Sequence, residues 1–280
     1  MFDVMRPRRS VLYVPANREG AVAKARTLGA DCVILDLEDA VQPDAKVAAR
    51  AAAVAAVGGW GSELLVRVNG LSSAWAADDF GVVSGFDGVV VPKVESAAEA
   101  ARAAAMAGGV PVWAMIETPR GVLAAAEIAA VDGVVALMAG LGDLSKELRA
   151  VPMPGRGAFL YALGAMVMAA RAAGRLVFDG VYMDVLDEAG FLEEARQGLM
   201  FGFDGKTLVH PLQVAPCNAV FTPSGESLEA ARGLIAAYEA GLAAGRGVTT
   251  YEGRLIEVLH VAEARRRLAF AELVAGRIGE

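Results

Sequence analysis

The sequence predicts a (β/α)8 TIM barrel over residues 1–215, followed by a C-terminal helical extension over residues 216–280. The chain has 280 residues, a length that suits either two ordinary domains or one barrel of roughly 250 residues. Eight short apolar segments favour the single barrel. They alternate with Ala-rich helical patterns, and strands that alternate with helices form parallel βαβ units. We expect the extension to act as a lid or as a contact between subunits.

The strands are predicted from continuous rather than alternating hydrophobicity, which is typical of strands buried on both faces. This pattern occurs at residues 10–15, 32–38, 64–69, 88–94, 112–118, 134–140, 176–182 and 206–211. No Gly-x-Gly-x-x-Gly pattern follows the first strand. The sequence therefore disfavours an open sheet that binds a dinucleotide.

The helices are predicted from Ala-rich periodic segments and from the residues that begin them. Asn17 is the expected N-cap of the first helix. Ser96 and Glu99 have the spacing of a capping box, and Thr118 precedes a proline at the first helical position. The predicted helices cover residues 18–28, 44–57, 97–107, 120–130, 157–173, 188–200, 227–244 and 254–278.

The composition excludes several classes of protein. Hydrophobic residues make up 55% of the chain, which is enough for a continuous core and rules out long disorder. The formal net charge of −7 argues against binding to nucleic-acid backbones. Two cysteines are too few for a disulfide framework, no apolar stretch is long enough to span a bilayer, and the N-terminus has no secretory pattern. We expect a cytoplasmic protein with no nucleic-acid or membrane partner.

Polar side chains gather at the predicted C-terminal ends of the strands, where barrel enzymes carry their active sites. Carboxylates dominate this rim and would repel one another if unmatched, and a bound cation is the simplest compensation. All-oxygen ligands favour Mg²⁺ over Zn²⁺, and Glu117 and Asp143 are the predicted pair of ligands. The alternative for each carboxylate taken alone is a helix cap or an ion pair with a surface lysine. The candidates on the rim are Asp36, Glu38, Asp39, Arg67, Asn69, Lys93, Glu117, Thr118, Asp143, Asp179, Tyr182, Asp184 and His210.

Five motifs, in the same order along nearly the whole chain, resemble the citrate lyase β-subunit-like superfamily, which is also called the HpcH/HpaI aldolase/citrate lyase superfamily. The motifs are SVLYVPANR at residues 10–18, ILDLEDAV at 34–41, VRVN at 66–69, ETP at 117–119, and GFDGK at 202–206 with VHP at 209–211. The resemblance implies a TIM barrel, Mg²⁺ dependence and coenzyme A (CoA) thioester substrates of the malyl-CoA or citramalyl-CoA type.

The resemblance also implies roles for individual residues. Glu117 and Asp143 become the metal ligands, and Arg67 becomes the cation that binds the substrate and stabilises negative charge. Glu38 and Asp39 become partners of the waters on the metal. The implied reaction is retro-Claisen cleavage of a 3-hydroxyacyl-CoA ester to acetyl-CoA and a 2-keto acid, in a trimer or hexamer of identical chains that share active sites.

The chain departs from the common lyase pattern at the residue expected to deliver a proton. Glu257 stands where many lyases have an Asp on a C-terminal segment that reaches the neighbouring subunit. Its reference pKa differs from that of Asp by roughly 0.4 unit, but its reach is longer by about one methylene, and a displacement of about 1 Å can cost roughly 100-fold in rate. Glu257 is therefore expected to be the acid/base of the lyase. Alternatively, it activates water against the thioester, as expected for a (3S)-malyl-CoA thioesterase.

The sequence supports three further expectations about the reaction, the binding of substrate and the surroundings of Glu257. Gly142 stands where citrate lyase β-subunits often have Glu, which weakens a second alternative, a β-like subunit that depends on a carrier protein. Arg18 and Lys93 are candidates for binding the CoA substrate, although solvated or capping side chains are the competing interpretation. His260 is expected either to orient the Glu257 carboxylate or to be an ordinary surface histidine.

Overall fold

The computed structural model describes residues 2–151, 153–246 and 248–278. The contacts between residues divide the chain into two compact units. The first contains the residues up to Phe221 except Met5–Pro7, and the second contains Met5–Pro7 and the residues from Thr222 onward. The predicted boundary between residues 215 and 216 falls inside a helix, Val214–Phe221, and the whole of that helix belongs to the first unit.

The first unit contains a closed barrel of eight strands, each parallel to both of its neighbours. The prediction of a (β/α)8 TIM barrel is therefore confirmed. Each predicted strand is present, but most end one to three residues earlier than expected, so that the polar residues of the rim are the last residues of the strands or follow them. The strands are β1 (Ser10–Pro15), β2 (Cys32–Asp36), β3 (Glu63–Arg67), β4 (Gly88–Val91), β5 (Val112–Ile116), β6 (Val134–Ala139), β7 (Leu176–Asp179) and β8 (Gly205–Leu208).

The helices of the first unit surround the barrel. They are α1 (Glu19–Ala25), α2 (Lys46–Ala55), α3 (Ala76–Phe80), α4 (Ala97–Ala107), α5 (Pro119–Leu123), α6 (Ala125–Ala129), α7 (Leu141–Leu148), α8 (Leu160–Ala172), α9 (Glu188–Phe201) and α10 (Val214–Phe221). Short 3₁₀ turns occur at Pro43–Ala45, Val83–Gly85, Pro154–Phe159 and Pro211–Gln213. Three of the helices, α3, α7 and α10, were not predicted, because five to eight residues are too few for a clear helical period.

Alternate residues of the strands form two separate apolar layers, which explains their continuous hydrophobicity. Residues such as Ile34, Leu65, Val90 and Met138 pack together as one cluster inside the barrel. Their neighbours along each strand pack with the small apolar residues of the helices in a larger outer cluster. Inside the barrel the rings of Trp113 and Phe178 stack with centroids 4.7 Å apart. Both faces of every strand are therefore buried.

The start signals of the helices were predicted in part. The Ser96 side chain accepts a hydrogen bond from the Glu99 amide, and the Thr118 side chain accepts one from the Gly121 amide, as expected of N-caps. The prediction for Asn17 is wrong, because Arg18 is the N-cap of α1 and makes no side-chain capping bond. The helix predicted over residues 120–130 is divided into α5 and α6.

The second unit combines two long helices with a hairpin. It contains α11 (Gly225–Ala243), β9 (Thr249–Tyr251), β10 (Arg254–Ile256) and α12 (Val258–Ile278), and β9 pairs antiparallel with β10. The helix predicted from residue 254 therefore begins four residues later, because residues 254–256 form the second strand of the hairpin. Among the described residues, no helix is both long and apolar enough to cross a membrane.

Candidate active site

The centre of the site is a buried ion pair between the ends of two neighbouring strands. Asp36 on β2 and Arg67 on β3 are partners in the strand register. The Nε of Arg67 donates to Asp36 Oδ1 at 2.6 Å, and a terminal nitrogen donates to Oδ2 at 2.7 Å. This two-pronged arrangement fixes the plane of the guanidinium group. The sequence therefore places a rigid, permanently charged donor at the mouth of the barrel.

Burial raises the pKa of Asp36, but the hydrogen bonds that its carboxylate accepts outweigh this effect. They come from Arg67 and from the backbone amides of Glu38 and Ala40, and the net result is a pKa below the ordinary value. The guanidinium carbon of Arg67 also lies over the ring of Tyr13, 4.8 Å from the ring centroid. Arg67 is thus held by the Asp36 carboxylate and by the ring of Tyr13.

Arg67 also contacts the two acidic residues that follow β2. Its second terminal nitrogen lies 3.0 Å from Glu38 Oε2 and 3.6 Å from Asp39 Oδ2. Glu38 is buried, whereas the side chain of Asp39 is 65% exposed. Burial raises the pKa of the Glu38 carboxyl, the charge of Arg67 lowers it, and the net direction is upward. The other oxygen of Glu38, Oε1, lies 3.0 Å from Lys93 Nζ, so Glu38 lies between two cations.

Lys93, two residues beyond β4, contacts three carboxylates. Its Nζ lies 2.8 Å from Asp143 Oδ2, 3.0 Å from Glu38 Oε1 and 3.9 Å from Glu117 Oε1. Its backbone amide also donates to Glu117 Oε1 at 2.9 Å. The backbone φ is +53°, a left-handed conformation that costs on the order of 1 kcal/mol or more in a residue with a Cβ. Such strain persists only where the surrounding structure imposes it.

Glu117 directly follows β5 and is almost completely buried. Burial raises the pKa of its carboxyl to about 7, against the charges of Lys93 and Arg67 and together with those of Glu38 and Asp143. Its side chain lies over Gly140, the N-cap of α7. A Cβ at Gly140 would be 2.4 Å from Glu117 Cβ and 2.6 Å from Oε2, so this conformation of Glu117 requires a glycine there.

Asp143 lies in the first turn of α7, where the partial positive charge of the helix N-terminus favours a carboxylate. Its side chain is about one-third exposed and faces Lys93. No group of three or more His, Cys, Asp or Glu side chains among the described residues is arranged to hold a metal ion. Mg²⁺ commonly uses only one or two protein carboxylates and completes its shell with water and substrate. The oxygen donors of Glu117 and Asp143, gathered around one ammonium group, fit that pattern.

The structure brings together six of the eight residues predicted for the site: Glu38, Asp39, Arg67, Lys93, Glu117 and Asp143. Arg18 is exposed at the start of α1 and makes no polar contact with this cluster among the described residues. Glu257 is exposed between β10 and α12 in the second unit. Its backbone amide donates to His260 Nδ1 at 3.0 Å, so His260 caps the helix and the expected contact with the carboxylate is absent here.

Asp36, Tyr13 and Gly140 were not assigned roles from the sequence. Asp36 was among the candidates on the rim, but its pairing with Arg67 depends on the register of β2 and β3, which has no signal in the sequence. The conflict of a side chain at position 140 with Glu117 depends on coordinates and has no signal in the sequence.

Two of the predicted rim residues have structural roles: Asp179 forms buried ion pairs, and His210 caps a turn. Asp179, at the end of β7, is completely buried between Arg156, whose terminal nitrogen lies 2.7 Å from Oδ1, and Lys206, whose Nζ lies 3.3 Å from Oδ2. Lys206 Nζ also lies 2.7 Å from Glu194 Oε1. His210 Nδ1 accepts a hydrogen bond from the Leu212 amide and caps the 3₁₀ turn that follows β8.

Comparison with known proteins gives consistent matches over nearly the whole chain. Residues 9–211 match the family described as HpcH/HpaI aldolase/citrate lyase. A (3S)-malyl-CoA thioesterase of Cereibacter sphaeroides (strain ATCC 17029 / ATH 2.4.9) is 43% identical over 274 residues, which are 96% of each chain. The citrate lyase subunit beta of Escherichia coli (strain K12) is 34% identical over 96% of this chain and 94% of that protein.

Solved structures have the same fold. The crystal structure of CitE from Mycobacterium tuberculosis in complex with magnesium, acetoacetate and coenzyme A has a TM-score of 0.82 and 34% sequence identity. The match covers 96% of this chain and 100% of that chain. A second structure of CitE from the same organism, in complex with magnesium and pyruvate, has a TM-score of 0.72 and covers 80% of this chain.

Proposed function

This chain belongs to the HpcH/HpaI aldolase/citrate lyase family, and from that premise we propose that it is a Mg²⁺-dependent enzyme that hydrolyses the thioester of (3S)-malyl-CoA. The identity of 43% with a (3S)-malyl-CoA thioesterase, over 96% of both chains, is the observation that carries this proposal. The acidic cluster around Arg67 and Lys93 supports it, because it joins metal ligands to donors for an anionic substrate.

Glu117 and Asp143 are the residues that hold Mg²⁺ in this proposal. When bound, the metal acts as a Lewis acid that polarises an oxygen of the acyl group and orients the substrate. Glu38 and Asp39 accept hydrogen bonds from water around the metal. The oxygen-only donor set of Glu117 and Asp143 is the kind that Mg²⁺ prefers.

Arg67 binds the negative charge of the acyl group. Asp36 occupies two of its N–H groups and leaves the others directed toward Glu38 and the mouth of the barrel. Because the guanidinium group is already oriented, little reorganisation is needed when charge develops on the substrate oxygen. Arg18 and Lys93 are the proposed contacts for the anionic groups of the CoA ester.

Glu257 is the proposed general base. It takes a proton from water as the water oxygen forms a bond to the thioester carbon, the carbon–sulfur bond breaks, and the proton passes to the CoA sulfur. The products are malate and free CoA. Glu257 belongs to the second unit, and we propose that identical chains assemble, as a trimer or hexamer, so that one subunit supplies this residue to its neighbour.

Carbon–carbon cleavage of malyl-CoA or citramalyl-CoA is the second candidate. It is favoured by Arg67 and the two proposed metal ligands, which suit the bound carboxylate and hydroxyl of a 3-hydroxyacyl thioester equally well. Here the substrate hydroxyl loses its proton to water as the bond between the two carbons breaks and the carbonyl of the 2-keto acid forms, and Glu257 then donates a proton to the acetyl-CoA enolate. The 34% identity with citrate lyase subunit beta also keeps a carrier-dependent β-like subunit as a further alternative.

One assay separates these activities. The purified protein is incubated with Mg²⁺ and (3S)-malyl-CoA, and free thiol and glyoxylate are measured in the same sample. We expect thiol release without glyoxylate. Glyoxylate with acetyl-CoA and no free thiol would establish the lyase instead. If neither product forms but acyl groups on a carrier protein are processed, the β-like subunit is correct.

Matched variants test the residue assignments in that assay. Glu117→Gln and Asp143→Asn keep the shape of each side chain but remove its charge, and each is expected to reduce kcat/KM at least 100-fold. Arg67→Lys keeps the charge but removes the two-pronged geometry, and it is expected to raise KM. Glu95→Gln, a change of an acidic residue outside the cluster, serves as the control. Unchanged activity in Glu117→Gln would contradict the proposed metal site.

A further inference from the structure

Lys93 is the cation that the carboxylates of the site share. Its ammonium contacts Asp143, Glu38 and Glu117 at 2.8, 3.0 and 3.9 Å. Glu117 and Asp143 are also the proposed ligands of Mg²⁺. A divalent cation bound by these two carboxylates and an ammonium group in contact with both would repel each other at short range. The two cations therefore compete for the same carboxylates.

We propose that Lys93 is the counter-cation of the metal-free site, and that a divalent cation bound by Glu117 and Asp143 displaces its ammonium group into the mouth of the barrel. The inference rests on the proposed function, in which Lys93 contacts the substrate. It adds an order of binding, metal before substrate, because Lys93 becomes available to an anionic substrate only after the metal has bound.

The environment of Lys93 permits this movement of the side chain while its backbone remains in place. Its side chain is 44% exposed, and a lysine ammonium on a four-carbon stem can change direction by rotation about single bonds. Its backbone amide is fixed by the hydrogen bond to Glu117. Arg67, the other cation of the site, is 10% exposed and is held by Asp36 through two hydrogen bonds. Lys93 is therefore the cation whose side chain moves away from the carboxylates when the metal binds.

The competition predicts the effect of removing the lysine on the affinity for Mg²⁺. In the wild-type protein the metal must break the contacts of Lys93, whereas in Lys93→Met nothing has to be displaced. We expect isothermal titration calorimetry to give a Kd for Mg²⁺ at least tenfold lower in Lys93→Met than in the wild type. The control Lys24→Met, at an exposed position on α1, is expected to leave the Kd unchanged. An equal or higher Kd in Lys93→Met would overturn the proposal.

NMR spectroscopy of the wild-type protein tests the displacement of Lys93 directly. The chain has five lysines, so NMR of protein labelled with ¹³C at the lysine ε-carbon gives five signals, and the signal absent in Lys93→Met identifies Lys93. On saturation with Mg²⁺ we expect the Lys93 signal to narrow to the width of the exposed Lys24 and Lys146. Lys206, which is completely buried, is the internal standard for a signal that stays broad.

The outcomes separate this inference from the proposed function. If Mg²⁺ binds but the Lys93 signal keeps its width, the displacement is wrong and the Mg²⁺ dependence stands. If calorimetry detects no binding of Mg²⁺ to the wild-type protein, the displacement and the metal-dependent function are both overturned. Narrowing of the Lys93 signal together with the lower Kd of Lys93→Met supports the displacement.

Discussion

At the scale of single residues, the absence of a side chain at position 140 is as important as the carboxylate beside it. Gly140→Ala introduces a methyl group within 2.4 Å of Glu117 Cβ, so Glu117 has to leave its present position. We expect the Kd for Mg²⁺, measured by calorimetry, to rise at least tenfold while the circular dichroism spectrum is unchanged. Gly142→Ala is the matched control, because a Cβ there meets nothing within 4 Å. Equal Kd values in the two variants would contradict this role.

Asp36 provides a test of the buried ion pair through the pH dependence of stability. Removing one partner of such a pair costs about 3–5 kcal/mol, and we expect Asp36→Asn to lower the free energy of unfolding at pH 7 by about this amount. The pKa of Asp36 in the folded protein is below its unfolded value of roughly 3.9. Its stabilising contribution is therefore complete above about pH 5 and is lost as the pH falls through the folded-state pKa.

The measurement is urea unfolding of the wild type, Asp36→Asn and the exposed-site control Asp44→Asn across the acidic range. The difference between the wild type and Asp36→Asn should shrink below about pH 4. A difference that stays constant down to pH 2.5 would show that the charge of Asp36 is not responsible.

At the scale of secondary-structure elements, the buried cluster of Asp179, Arg156 and Lys206 fixes the 3₁₀ turn Pro154–Phe159 to β7 and α9. Arg156 also donates to Gln197 on α9 at 2.7 Å. Arg156→Met leaves a buried carboxylate with one cation fewer, and we expect a loss of about 3 kcal/mol or more in the free energy of unfolding. Faster hydrogen–deuterium exchange is expected in residues 154–159.

The matched control is Arg171→Met on α8. Arg171 forms a similar pair with Asp204, at 2.8 Å, but its side chain is 44% exposed, and exposed pairs contribute about 0–1 kcal/mol. If the two variants lose equal stability, burial is not what makes the Arg156 cluster strong.

The elements also explain what the sequence could and could not predict. Strands such as β2 and β5 were found because both faces are buried and the apolar run is unbroken. Their exact ends were missed, because Glu38 and Thr118 follow the strands without any break in residue type that marks the last paired residue. The hairpin was not predicted, and the residues of β10 were assigned to the last helix, since three-residue strands leave no period to detect. For the site, residue types at strand ends identified Glu117 and Arg67, whereas the pairing of Arg67 with Asp36 required the register.

At the scale of the whole molecule, both thiols lie inside the barrel unit, where only unfolding exposes them. Cys32 and Cys217 are completely buried, and burial raises the pKa of the Cys217 thiol to about 12. Because the thiolate is the reactive form, we expect no alkylation of the native protein by iodoacetamide at pH 8 and two equivalents in guanidinium chloride. Mass spectrometry of the intact chain counts the adducts. Rapid modification of the native protein would show that the barrel opens locally around α10.

The closure of the barrel has a consequence for how the chain is made. β1 pairs with β8, with Val11 opposite Thr207, so the first strand stays an open edge until the chain has been synthesised as far as β8, at residues 205–208. Pairing over such a separation in sequence is slow, and an open edge recruits strands of other chains. A ribosome that stalls before the segment encoding β8 would therefore release a product with two unprotected edges. We expect such truncated chains to depend on chaperones, whereas chains ending after Phe221 contain every strand of the barrel.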